Sequence, residues 1–194
     1  MKAMVDWEMV VLGLVYVPVV LAARHRASPD DLDALFARLS AAQSTEAARA
    51  IVERIWECWL HHENPEICAL MEAGIGAVER QHYEAAQDVF GKIIERDPEY
   101  AEGWNKRATV RYLQGNYAGS VRDIKRVLAL EPRHFGALSG LGIIYLLIAN
   151  DRGALDAFEA VLALNPHLNG VRRQVEALRD ALNSGGPSRF DDGV

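Results

Sequence analysis

The chain has 194 residues, 50% of them hydrophobic and 25% charged, with a formal net charge of −6. That composition suits one compact domain or a short repeat array and excludes a disordered chain. The acid excess also argues against a nucleic-acid backbone as main partner, because phosphate binding needs a surplus of Lys and Arg; the local run of Lys106, Arg107, Arg111, Arg122, Lys125 and Arg126 is read as a solvated helical face.

Residues 9–23, "MVVLGLVYVPVVLAA", form the first apolar run. It falls short of the roughly 20 residues a spanning helix needs and carries Pro18, so it fits a signal-peptide core better than a membrane span. Asp6 and Glu8 work against that reading, since a signal peptide prefers positive charge there. Three fates fit: export with cleavage of residues 1–27, an uncleaved membrane anchor, or a buried core segment. The first two put the rest of the chain in a bacterial periplasm or envelope, with membrane association through residues 9–23.

Ser28-Pro29-Asp30-Asp31 supplies a helix start, with a capping side chain, proline in the first helical position and acids in the first turn. Leu32, Leu35, Phe36 and Leu39 then share one helical face. A second helix begins near Ser44 or Thr45, with Ile51, Val52, Ile55, Trp56 and Trp59 on its stripe. Residues 28–66 thus read as an N-terminal helical cap. Cys58 and Cys68 are too few for a disulfide scaffold; they read as small apolar residues on neighbouring helices, with one disulfide as the alternative. His61-His62-Glu63 lies at a helix end and lacks the HExxH spacing, so no metal site is expected.

From residue 67 a period of 34 takes over. "KIIERDPEYA", "RVLALEPRHF" and "AVLALNPHLN" place Pro98, Pro132 and Pro166 at equal intervals, giving units 67–100, 101–134 and 135–168. Each holds two amphipathic helices around a polar turn: "ERQHYEAA", "QGNYAGS" and "IANDRGA". A helix pair of this length cannot bury both apolar faces alone, so neighbouring pairs must stack, and each proline ends a second helix before the next pair. Val171, Val175, Leu178 and Leu182 mark a last helix over 169–182, a C-terminal cap, and residues 183–194 have the composition of a disordered tail.

The third unit carries Leu138-x-x-Leu141-Gly142-x-x-Tyr145, Ala154-x-x-x-Phe158 and Pro166. This resembles the tetratricopeptide repeat at six of seven signature positions, with Leu138 in place of Trp. The first unit keeps Gly74, Ala86, Phe90 and Pro98, and the second keeps Trp104 and Pro132. The expected fold is therefore all-α: a solenoid of three such helix pairs between N-terminal and C-terminal capping helices. Gly74, Ala108 and Gly142, with Ala86, Ser120 and Ala154 opposite them, fall where paired helices come closest.

The resemblance implies a groove lined by the first helix of each pair, able to receive a peptide or partner helix. Its lining would be Met71, Ile75 and Val78, then Asn105, Thr109 and Tyr112, then Ser139, Ile143 and Leu146. That surface is largely apolar, with three polar side chains able to bond a backbone. Relatives that clamp the C-terminal carboxylate of chaperones use Lys, Asn and Arg there, whereas this chain offers Met71, Ile75, Lys106, Gly136 and Gly140. That activity is not implied. In the competing arrangement, the helices around Phe36, Trp56 and Trp59 fold back and fill the groove.

Arg107 and Arg111 stand where the third unit has Leu141 and Tyr145. A guanidinium on a packed stripe must be paired or must reach solvent, so an ion-pair network with Glu72, Glu79 or Asp123 is expected, and an anion site is the alternative. No phosphate loop, nucleophile elbow or carboxylate pair suggests catalysis, and no cofactor is expected. The expected function is a non-catalytic scaffold that binds another protein or peptide in envelope assembly or maturation. The alternative is a structural subunit held to a membrane complex by its apolar N-terminus.

Overall fold

A computed structural model describes residues 32–184, and every regular element among the described residues is an α-helix. Helices α1 (Leu32–Ser40) and α2 (Thr45–Leu60) form a leading hairpin. Three pairs follow: α3 (Pro65–Glu79) with α4 (Tyr83–Arg96), α5 (Ala101–Leu113) with α6 (Tyr117–Leu130), and α7 (Phe135–Leu147) with α8 (Asp151–Leu164). Helix α9 (Asn169–Asn183) packs on α8 and closes the stack. The all-α stack of three pairs between terminal helices is the fold expected from the period. The apolar run at 9–23, the start signal at 28–31 and the tail from 185 onward lie outside the described residues. No described helix is long and apolar enough to cross a membrane.

The helix starts are built by short polar side chains. Ser44 accepts from the Ala47 amide, Asn64 from Glu66, Asn116 from Gly119 and Asn150 from Gly153, each satisfying an amide that has no partner within its own helix. The 34-residue period is also written into the backbone. Gln81, Gly115 and Ala149, one in each turn and 34 apart, have φ of 60°, 75° and 56°. Only Gly115 takes this left-handed conformation without a steric penalty. Ala149 is exposed, so removing its methyl sacrifices no packing. Ala149→Gly is expected to stabilise the chain by about 1 kcal/mol, raising Tm by about 2–4 °C in a thermal melt.

Within the pairs, glycines admit aromatic rings. A Cβ at Gly74 would lie 2.5 Å from the Phe90 ring, and one at Gly142 would lie 2.7 Å from Phe158. Both phenylalanines are fully buried, so any side chain at either glycine forces the pair apart, at about 1–3 kcal/mol. The middle pair solves the same contact differently: the Ser120 hydroxyl donates to the Ala108 carbonyl at 2.8 Å.

The leading hairpin does not stand clear of the stack. Its buried residues Leu35, Phe36, Leu39, Ile51, Ile55, Trp56 and Trp59 share one core with Phe135 and Ile143 of α7, Phe158 of α8 and Val175 of α9. Helix α2 touches α5, and α1 touches α8. The hairpin therefore takes its burial from the first helices of the repeats and from the C-terminal end of the stack.

Candidate binding face

The expected groove is occupied. Of its nine lining residues, Met71, Ile75, Asn105, Thr109, Ser139 and Ile143 are at most 5% exposed, and Val78, Tyr112 and Leu146 are half-buried. Ile143 belongs to the core that contains Phe36, Trp56 and Trp59, and Tyr112 and Leu146 pack against it. Met71 and Ile75 sit in the core of the first pair, against which Leu60 at the end of α2 also packs. Of the two arrangements left open by the sequence, an apolar groove and one filled by the leading hairpin, the structure has the second. The expectation that its polar side chains await a foreign backbone is corrected: the Asn105 amide donates to Glu102, and the Thr109 hydroxyl donates to the Asn105 carbonyl one turn back in α5.

Beneath the hairpin lies a buried polar cluster. Glu102 is 1% exposed, Lys106 3% and His134 0%. The Lys106 ammonium is 2.9 Å from Glu102 Oε1, one turn along α5. His134 caps α7, its Nδ1 accepting from the Ala137 amide at 3.1 Å. That leaves Nε2 to carry the proton, which it donates to Glu102 Oε2 at 2.9 Å. Burial pushes the Glu102 carboxyl up, but attraction to Lys106 and the bond from His134 outweigh it and hold the pKa at about 2.

The hairpin supplies the lid of this cluster. Trp59 stacks flat on the His134 ring, with centroids 4.1 Å apart and planes 10° from parallel. Trp56 meets His134 and Phe135 edge-on at 5.6 and 5.5 Å, and the Lys106 ammonium lies 5.5 Å from its ring centroid. Trp56 fits because residue 136 is glycine: a Cβ there would lie 2.7 Å from the indole. The cavity bounded by Asn105, Thr109, Ser120, Gly136 and Gly140 is about 10 Å³, room for a single water.

Polar bonds fasten the hairpin at its edges. Tyr100 donates its hydroxyl to the Leu60 carbonyl at 3.0 Å; burial and the nearby Glu102 push this phenol well above the ordinary tyrosine range. His62 Nε2 lies 3.0 Å from Asp97, and that bond helps to hold the Asp97 carboxyl below its usual value. Farther along, His167 Nε2 donates to the Ala42 carbonyl at 2.9 Å, and Arg133 pairs with Asp33 while lying over the Phe36 ring.

On the opposite side of α5, Arg107 and Arg111 converge on Asp123 of α6. Arg107 binds it through two bonds of 2.9 Å, and Arg111 adds one of 2.8 Å. Arg107 also lies over Trp104, 4.9 Å from its ring centroid. Of the three partners the sequence offered, Asp123 takes both cations, while Glu72 and Glu79 are exposed. Cys58 and Cys68 are not joined in a disulfide, and the Cys68 thiol donates to the His62 carbonyl. Among the described residues no group of three or more His, Cys, Asp or Glu could hold a metal ion.

Glu102 and His134 were not singled out from the sequence as parts of this face, and Gly136 was named there only as a position lacking a carboxylate-clamping side chain. One signal was available: at intervals of 34, Glu102 aligns with Cys68 and Gly136, so an acid stands in one unit where the others have small residues. Its four-residue spacing to Lys106 is the second half of that signal.

A family model described as tetratricopeptide repeat matches residues 71–124 and, overlapping, 107–169. A TPR repeat-containing protein of Rhizobium etli is 38% identical over 151 residues, which cover 78% of this chain and 74% of that relative. Tetratricopeptide repeat protein 36 of Bos taurus is 40% identical over 114 residues, 57% of this chain and 60% of that protein. Among solved structures, the first TPR of Spaghetti (RPAP3) bound to HSP90 peptide SRMEEVD superposes with TM-score 0.58 at 22% identity, covering 63% of this chain and 98% of that one. The Sgt2 TPR domain from Aspergillus fumigatus superposes equally well, covering 68% and 89%.

Proposed function

The chain belongs to the tetratricopeptide repeat family, and from that premise we propose that it is a non-catalytic scaffold that binds a helix or extended segment of another protein. The observation that carries this is the docking of α2 on α5 and α7: the face accepts an amphipathic helix, with Trp56 and Trp59 as anchors. The Spaghetti domain holds a peptide of HSP90; only the general mode, a segment of a partner bound by repeats, is carried over. The carboxylate-clamping chemistry is not, because Lys106 is buried against Glu102 and residues 136 and 140 are glycines.

We place the scaffold in a bacterial envelope, exported or anchored through residues 9–23, where it serves assembly or maturation of a partner. The support is the length and apolarity of that segment. The second form of the function, a structural subunit anchored to a membrane complex, draws on the same segment. The two separate by fractionation and N-terminal sequencing: a shortened, soluble envelope protein favours the scaffold, and an intact Met1 in the membrane fraction favours the anchored subunit.

The binding function is tested by crosslinking co-purification of the full chain from native cells, wild type against Tyr112→Ala/Leu146→Ala. Both positions lie at the half-buried edge of the face, so the variant is expected to stay folded by circular dichroism. A partner captured by wild type and lost by the folded variant is the expected result. Capture of nothing by either overturns the scaffold function, and capture of the same proteins by both overturns the face as the surface that serves it.

A further inference from the structure

The seam between α2 and the repeats differs in kind from the seams between paired helices. Inside the first and third pairs the close contacts are apolar, Phe90 on Gly74 and Phe158 on Gly142. Under α2 the floor is Glu102, Lys106 and His134, all buried, with Asn105 beside them. Two indoles on one turn of α2 lie on that floor, and each has its own receptor. Trp59 takes the flat face of His134, while Trp56 takes the edges of His134 and Phe135, the Lys106 ammonium and the notch left by Gly136.

Ring stacking, a cation over an aromatic face and a glycine notch read indoles in particular, where a generic apolar groove reads only area. One detail is left unmet: among the described residues the buried Trp59 indole N–H has no acceptor. A permanent core contact ordinarily satisfies such a donor. Helix α2 also reaches the first repeat through only the residues His61 to Asn64, and the polar bonds that fasten its end are one each from Tyr100 to Leu60, from the Cys68 thiol to the His62 carbonyl, and between His62 and Asp97.

We propose that the surface formed by Lys106, His134, Phe135 and Gly136 is a recognition site for an amphipathic helix carrying two tryptophans three residues apart, and that α2 is its resident, exchangeable occupant. This rests on the scaffold function above and names its ligand. A partner helix presenting the same pair, with an acceptor for the second indole, takes the place of α2, so the leading hairpin acts as a built-in competitor that sets the threshold for binding.

The test uses the full chain with Trp56→Ala and Trp59→Ala, which weakens the resident occupant, and a fluorescein-labelled synthetic peptide with the sequence of residues 45–62. Fluorescence anisotropy is expected to show saturable binding to this variant. Affinity is expected to fall at least about tenfold in each of three cases: wild-type protein, a peptide with alanine at both tryptophans, or addition of Gly136→Val to the variant. No binding to the variant, or equal binding of the alanine peptide, overturns the proposal. Should the double variant not fold, amide hydrogen exchange on the wild type decides: α2 is expected to exchange at least about tenfold faster than α7, and equal protection of the two helices overturns exchangeability.

The outcomes also separate this site from the scaffold function. Peptide binding as expected, with no client captured in cells, supports the site and removes the function. A client captured equally by wild type and by Gly136→Val keeps the function and overturns the site.

Discussion

Glu102→Gln is expected to be among the most damaging single substitutions in the chain. It leaves the Lys106 ammonium, 3% exposed, without its counter-charge beneath two indoles. Removing one partner of a buried pair costs about 3–5 kcal/mol, which for a chain of this size lowers Tm by roughly 10 °C. The loss comes mainly from the stranded cation rather than from the missing bond. Glu102→Gln combined with Lys106→Met should therefore recover much of the stability, because an apolar side chain of similar length replaces the charge. Urea unfolding of the two single variants and the double variant measures this directly. A double variant as unstable as the sum of the single ones would show that the pair is not the unit that matters.

The same group makes a pH prediction. The Glu102 carboxyl is held at about 2 in the folded chain against an ordinary value of 4.5. A depressed carboxyl contributes stability that is fully present above its unfolded value and disappears as pH falls through its folded one. Roughly 3 kcal/mol should thus be lost between about pH 4.5 and about pH 2, most of it beneath the hairpin. Near pH 3 the wild type should have lost more of its pH 6 stability than the Glu102→Gln/Lys106→Met variant, and Trp56 and Trp59 fluorescence should report the hairpin loosening. Parallel acid profiles for the two proteins would remove Glu102 as the cause.

What the sequence made legible, and what it did not, follows from the range of the interactions involved. The repeat is local: the proline interval, the polar caps and the glycines facing Phe90 and Phe158 each act within one helix pair, so a 34-residue window contains their cause. An ion pair for Arg107 and Arg111 was legible for the same reason, with Asp123 one of three candidate acceptors and the one that lies on the adjoining helix of the same pair. The state of the groove was not. Periodicity tells that Phe36, Trp56 and Trp59 bury a face, but not which surface buries it. The deciding contacts span 75 residues from Trp59 to His134 and 125 from Ala42 to His167. Asn105 and Thr109 misled for a related reason. A polar residue on an inner face reads as a free donor until Glu102 is seen to occupy it. Glu102 and His134 themselves join across 32 residues, from one pair to the next, and that contact exists only once the pairs have stacked.

Asp123→Ala is the second substitution with a large expected effect. Asp123 is 3% exposed at its side chain and is the shared acceptor of two guanidiniums that retain 17% and 20% exposure. Deleting it costs about 3 kcal/mol, at the lower end for a buried pair because both cations keep some access to water. Arg107→Leu should cost less, since Arg111 still neutralises the carboxylate and one like-charge neighbour is gone. That repulsion is visible in Arg111, whose pKa is lowered first by burial and then, against the pull of Asp123, by Arg107 and Arg122. The order of effects therefore separates the two roles set out for this cluster. If the carboxylate exists to hold the arginines, Asp123→Ala is the worse lesion, and Arg107→Leu becomes neutral or stabilising once Asp123 is gone. If the arginines exist to hold an external anion, Asp123→Ala frees them, and adding inorganic phosphate should raise the Tm of that variant well above any effect on wild type. Thermal melts of the three variants with and without phosphate distinguish these outcomes, and the structure, with both Asp123 carboxylate oxygens bonded to arginines of α5, predicts the first.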